Sequence, residues 1–95
     1  MNHLSRLTRA LDKNVYAVDD TKVQHDVNGY TGEAISKLAK FENVYDDLIL
    51  KQNEISKELE KLRLEDKTHS VKFKQLLANK LANNNILTIF ETYGL

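Results

Sequence analysis

Apolar residues recur through the middle of the chain at alternating steps of three and four. They run Leu38, Phe41, Tyr45, Leu48, Ile55, Leu59 and Leu62, with Gln52 filling the one polar position in the series. This is the a/d rhythm of a helix that hides one stripe against another helix, and it predicts a single long helix over 31–64 with a coiled-coil seam. Thr31 reads as the N-cap, Glu33 places negative charge at the positive end of the helix dipole, and Tyr30 and Ile35 have the spacing of a hydrophobic staple. A helix of that length extends about 50 Å, more than one small globule covers, so association is expected.

The stripe is not uniform. From residue 34 to 50 it takes in Ala34, Ile35, Val44, Ile49 and Leu50 as well as the seam, which is too broad for one partner helix, and the N-terminal segment is the nearest candidate cover. Beyond Lys51 it narrows to Gln52, Ile55, Leu59 and Leu62 with charge on the other faces, as in a plain two-helix contact. Gln52 at an a position weakens such a seam and fixes its register. Glu58 and Arg63 fall at g and e, an attractive pair in a parallel dimer.

Residues 64–70 carry no apolar period and three candidate caps, Asp66, Thr68 and Ser70, so a turn is expected there. Val71, Phe73, Leu76, Leu77 and Leu81 then mark a second helix. Asn83-Asn84-Asn85 is expected to interrupt it, because asparagine is a poor residue for a helix interior. Ile86, Leu87, Ile89, Phe90 and Tyr93 form a last apolar segment ending at Gly94, a natural C′ residue. Residues 70–93 thus read as a C-terminal helical hairpin, and the part from 71 to 82 is placed to fold back antiparallel along the narrow half of the long helix. Phe90, Tyr93 and Leu95 either complete the core or form an interface, with core the preferred reading.

The first thirty residues read differently. Thr8, Val15, Tyr16 and Val18 favour strands, and Asp12-Lys13-Asn14 suits a tight turn, so Leu7 to Leu11 is expected to pair with Val15 to Val18. Leu4 adds to a competing helical spacing with Leu7 and Leu11. Asp19-Asp20 and His25 to Gly29 read as loop, and Asn28-Gly29 is the strongest turn dipeptide in the chain. The expected fold is therefore mainly α, a single helical domain. It comprises an N-terminal hairpin or loop cap over 1–30, a long central coiled-coil helix and the C-terminal helical hairpin.

Composition narrows the chemistry. The 95 residues hold 14 basic and 14 acidic side chains and no cysteine, which removes disulfides, thiol nucleophiles and cysteine metal sites. His3, His25 and His69 show no ligand spacing; His25-Asp26 reads as a solvated pair rather than a metal or acid/base site. Asp46 and Asp47 splay about 100° apart on a helix and do not converge on a proton or metal. No phosphate loop, nucleophile elbow or cofactor motif is present, so the expectation is a protein without catalysis, cofactor or metal. No apolar run is long enough to span a bilayer, and no signal-peptide core opens the sequence.

Charge leaves one rival reading. Residues 31–66 hold six basic against nine acidic side chains, whereas residues 67–95 hold Lys67, Lys72, Lys74 and Lys80 against Glu91 alone. Packing of the basic tail on the acidic helix explains this; a basic patch for nucleic acid is the alternative. The segment from Asn84 to Tyr93, which would have to serve as a recognition helix, is apolar and lacks Arg, Lys or Gln to read bases.

Two stretches carry a resemblance. Gly29-Tyr30-Thr31-Gly32-Glu33-Ala34-Ile35-Ser36-Lys37-Leu38-Ala39-Lys40-Phe41-Glu42-Asn43 and the run from Lys67 to Leu95, which contains Ser70-Val71-Lys72-Phe73-Lys74 and Leu76-Leu77, resemble small uncharacterised proteins encoded in phages and prophages of Gram-positive bacteria. The resemblance implies a bacterial or viral cytosolic setting and no activity or functional residue. Together these readings point to a non-catalytic self-association or adaptor protein working as a homodimer or with a helical partner. Its interface would be Leu38, Phe41, Tyr45, Leu48, Gln52, Ile55, Leu59 and Leu62.

Overall fold

The computed structural model describes residues 6–95, so the readings made for His3 and Leu4 lie outside it. The elements run β1 (Thr8–Asp12), β2 (Val15–Val18), a 3-10 turn (Asp20–Lys22), β3 (Gln24–Asp26), β4 (Gly29–Thr31), α1 (Glu33–Leu64) and α2 (Val71–Thr92). The fold is mainly helical, with two small antiparallel hairpins ahead of the helices. Two compact units divide the chain, residues 1–42 and residues 43–95.

In the first unit β1 and β2 pair with Thr8 opposite Val18 and Ala10 opposite Tyr16, and the register shifts between Ala10 and Asp12. Asn14 supplies the left-handed residue of the turn at φ 59°, a conformation that asparagine adopts more readily than most residues. The expected pairing is thus present, starting at Thr8 rather than Leu7. The expected loop from His25 to Gly29 is instead a second hairpin. His25 lies opposite Tyr30 and Asp26 opposite Gly29, while Asp26 Oδ1 accepts from the Asn28 N–H at 2.8 Å to close the turn. The two turn residues are Val27 and Asn28, one place earlier than the Asn28-Gly29 turn signal puts them, and Gly29 opens β4 at φ 110°.

The start of α1 corrects a second expectation. Thr31 ends β4 and does not cap the helix; the first turn closes with the Ser36 N–H donating to the Gly32 carbonyl at 2.9 Å. Gly32 sits at φ +118°, and a Cβ there would meet the Lys22 carbonyl oxygen at 2.6 Å, so only glycine fits. With Gly32 in the cap position, Tyr30 and Ile35 no longer have staple positions. Tyr30 instead sets its ring 4.7 Å from that of His25, and Glu33 pairs with Lys22 at 3.0 Å.

The second unit is an αα-hairpin. Leu59, Leu62 and Phe73 form its buried cluster, with Ile55 and Leu76 packed against it. The connection is built from backbone geometry. Asp66 is left-handed at φ 57°, the Lys67 N–H donates to the Leu62 carbonyl at 2.8 Å, and the Asp66 N–H donates to that of Arg63 at 3.1 Å, which is a Schellman ending. Of the three candidate caps Ser70 is used: the Phe73 N–H donates to its Oγ at 3.1 Å, and that hydroxyl donates to the Lys67 carbonyl at 2.7 Å. α2 closes in the same way as α1, with Gly94 at φ 85° and the Leu95 N–H on the Phe90 carbonyl at 2.9 Å.

Asn83-Asn84-Asn85 does not break α2, contrary to the sequence expectation; the helix is continuous from Val71 to Thr92. Each asparagine costs well under about 1 kcal/mol relative to alanine. Against that, the spacing Phe73, Leu76, Lys80, Asn83, Leu87, Phe90 keeps the seam rhythm through the run, and burial of Leu87 alone offsets roughly 1.5–3 kcal/mol. The C-terminal segment is therefore one helix, and its hairpin partner is α1.

Candidate interaction surface

The predicted interface residues separate along α1. Leu59 and Leu62 are buried at 1% and 5% exposure, and Tyr45, Leu48, Gln52 and Ile55 are half-buried. α2 of the same chain meets this stretch: Tyr45 makes an edge-on contact with Phe90 at 5.8 Å, Gln52 Nε2 donates to the Lys80 carbonyl at 3.1 Å, and Leu59 and Leu62 pack with Phe73. The antiparallel fold-back read from the sequence thus supplies the seam's covering helix. In the first unit, Leu38 and Phe41 are each 54% exposed. The broad half of the stripe remains largely exposed, with Ile35, Val44, Ile49 and Leu50 at the surface.

Polar groups thread the seam's centre. Gln52 Oε1 is buried and accepts no hydrogen bond, Lys80 and Asn83 are half-buried, and Thr88 Oγ1 donates to the Asn84 carbonyl at 2.8 Å on the outer side. The cluster of Leu59, Leu62 and Phe73 lies at the end near the connection, and Leu87 is buried towards the other end of α2. At the connection end Arg63 lies over the Phe73 ring at 5.6 Å and Lys72 Nζ meets Glu58 Oε1 at 2.8 Å. The hydrogen bond and charge of Lys72 hold the Glu58 carboxyl below its ordinary range, and Glu58 in turn raises Lys72. Glu58 is therefore engaged within the chain, and Arg63 pairs with Glu60 at 3.6 Å; the parallel-dimer pairing of Glu58 with Arg63 has no free carboxylate to use.

The four lysines of the candidate basic patch do not converge. Lys67 is paired with Glu65 at 3.0 Å and Lys72 with Glu58, Lys80 is half-buried on the seam side, and Lys74 is exposed. Lys72 and Lys74 lie two positions apart, about 200° around the helix, so they do not line up along one phosphate track. Nor do histidine and carboxylate gather: the His25 ring lies tilted at 53° against that of Tyr30, Asp26 closes its own turn, and among the described residues no group of three or more His, Cys, Asp or Glu is placed to hold a metal.

What remains is apolar surface on the outside of the hairpin. Among the described residues of the second unit only Leu59, Leu62, Phe73 and Leu87 are buried hydrophobics, while Leu50, Leu81, Ile86, Ile89 and Tyr93 are between 43% and 81% exposed. Phe90 does join the seam, half-buried; Tyr93 and Leu95 do not, contrary to the preferred core reading of that cluster. Reading the asparagine run as a break concealed the outward face of α2. The signal that finds it is the unbroken three-four spacing on both sides of Asn83. No helix among the described residues is long and apolar enough to cross a membrane. Comparison with protein families, curated proteins and solved structures finds no match.

Proposed function

We propose that this chain is a non-catalytic helical interaction module that self-associates, serving as an adaptor or scaffold in the cytoplasm of a bacterial host. The observation that carries the reading is the incomplete burial of the helical hairpin: its seam has one covering helix, and its outward faces keep large apolar side chains in water. Two helices can bury only the side they turn toward each other, and joining a second pair into a four-helix arrangement is the usual way to cover the rest. A phage or prophage origin is supported by the resemblance of residues 29–43 and 67–95 alone. The rival reading, a nucleic-acid-associated regulator, draws on the same four lysines, two of which are already paired with carboxylates.

Thermal unfolding at a series of protein concentrations tests the reading. A self-associating chain has a midpoint that climbs with concentration over ~10–500 µM, because mass action favours the assembled native state. A midpoint independent of concentration would count against it. Titration with duplex DNA is the companion test: steeply salt-dependent binding abolished by replacing Lys72, Lys74 and Lys80 would favour the rival.

A further inference from the structure

We infer that α2 opens in two parts: its segment 83–92 leaves α1 and melts as one unit while 71–82 stays docked, with the break at a polar layer of Gln52, Lys80 and Asn83. That layer interrupts an otherwise apolar seam. On its connection side Leu59, Leu62 and Phe73 are buried, with Ile55 and Leu76 packed against them. On its far side Leu87 is buried and Tyr45 meets Phe90 edge-on at 5.8 Å. Between these contacts α2 offers the seam only Lys80 and Asn83, both half-buried, and α1 sets Gln52 Nε2 on the Lys80 carbonyl at 3.1 Å.

The layer favours the open state. Gln52 Oε1 is buried with no hydrogen-bond partner, and parting of the helices at that level returns this desolvated acceptor to water. Lys80 and Asn83 surrender far less apolar burial than a leucine would. The far segment is held chiefly by Leu87, near its middle, so its docking is lost as a block and not residue by residue from the tip.

Intrinsic helix strength changes at the same place. Residues 71–82 are mostly Lys, Gln, Leu and Ala, which are strong helix formers, whereas 83–92 contains three asparagines, two isoleucines and two threonines, which are weak ones. Both threonines bond back to the carbonyl four residues earlier, Thr88 to Asn84 at 2.8 Å and Thr92 to Thr88 at 2.9 Å, a pattern that weakens a helix. Ten such residues freed from packing do not hold a helix, so undocking and melting are one step. Across the helices, Lys72 meets Glu58 in the connection half, while from Leu81 to Phe90 no ionisable side chain is present to form such a pair. Opening exposes Tyr45 and Leu48 on α1 together with Leu87 and Phe90, and leaves the buried cluster at the connection intact. The inference stands apart from the self-association reading; a monomeric chain shows the same behaviour.

Site-resolved hydrogen exchange of the native 95-residue chain tests it, under conditions where protection reports the opening equilibrium. Low protein concentration keeps a second copy from adding protection. The amides of Leu87, Ile89 and Phe90 are expected to share one protection factor, at least roughly fivefold below that of Leu76, Leu77 and Ala78. Leu59→Ala should lower protection at Leu76 to Ala78 and leave the far amides unchanged, because Leu59 keeps its contacts when only the far segment opens. Ile55→Val, a smaller loss on the same side of the layer, makes the same comparison if Leu59→Ala does not fold. Gln52→Leu should raise far-segment protection roughly fivefold. Uniform protection along α2, equal loss in both sets on substitution at the connection side, or a far segment indifferent to Gln52→Leu would each overturn the inference.

Discussion

Gln52 reaches across the helical hairpin to Lys80, its side-chain Nε2 donating to the main-chain carbonyl at 3.1 Å while its Oε1 stays buried without a partner. One bond of this kind contributes about 1 kcal/mol, and a buried orphan acceptor costs about 1–3 kcal/mol, so the residue ties the two helices in register at a net loss. Gln52→Leu is accordingly expected to stabilise the unit by about 1 kcal/mol, read as a higher urea midpoint with an unchanged slope. A lower midpoint would mean that the hydrogen bond outweighs the orphan oxygen.

Leu59 is the most deeply buried side chain among those described, at 1% exposure. Leu59→Ala should cost about 2–5 kcal/mol through lost burial and the cavity left behind. Leu50, 59% exposed on the same helix, provides the contrast: Leu50→Ala should change stability by no more than about 0.5 kcal/mol. Urea unfolding of both variants checks the assignment of inner and outer faces.

Asn84 separates the continuous helix from the interrupted one. In the structure Asn84 lies inside α2, its carbonyl accepting from Thr88 Oγ1. Asn84→Pro should therefore cost about 3 kcal/mol or more and reduce helical circular dichroism. Were the run a loop, proline would be tolerated there.

Those residues also show how much could be read before the structure. The long helix, the first hairpin, the turn near Ser70 and the Gly94 ending were legible, because each has its own local signal in spacing, turn chemistry or glycine. The asparagine run misled because intrinsic propensity is a weak force, and the burial of Leu87 and the seam position of Phe90, both beyond the run, outweigh it. Thr31 misled because a capping side chain and a strand residue look alike in sequence. What decides is the close passage of the Lys22 carbonyl by Gly32, a contact ten residues apart along the chain. The seam's residues were legible as a set, but which helix covers them depends on the tertiary fold-back. The outward face of α2 was hidden by the same assumed break.

Gly32 gives a prediction of its own. Gly32→Ala forces a side chain into the Lys22 carbonyl at a backbone angle that L-residues rarely adopt, so the first unit should lose about 1–3 kcal/mol or more. Amide hydrogen exchange in β3, β4 and the first turn of α1 reports it, with protection at Leu59 and Phe73 as the internal control.

The Glu58–Lys72 pair predicts a pH dependence. Glu58 titrates lower in the folded chain than in the unfolded one, so its contribution is present above the ordinary carboxylate range and is lost as pH falls through the folded value. Lys72 is raised, and its share is lost only as strongly alkaline pH passes through that higher value. Glu58→Gln should flatten the acid limb of the stability profile. Both side chains reach solvent, so the difference should shrink with added salt.

Sedimentation equilibrium of the 95-residue chain at neutral pH tests the central claim, that the hairpin's outward apolar faces are covered by a second copy. The account predicts a mass approaching twice the 11.0 kDa of one chain as concentration rises, with reversible dissociation on dilution. A single ideal species of one chain mass at every concentration would contradict it.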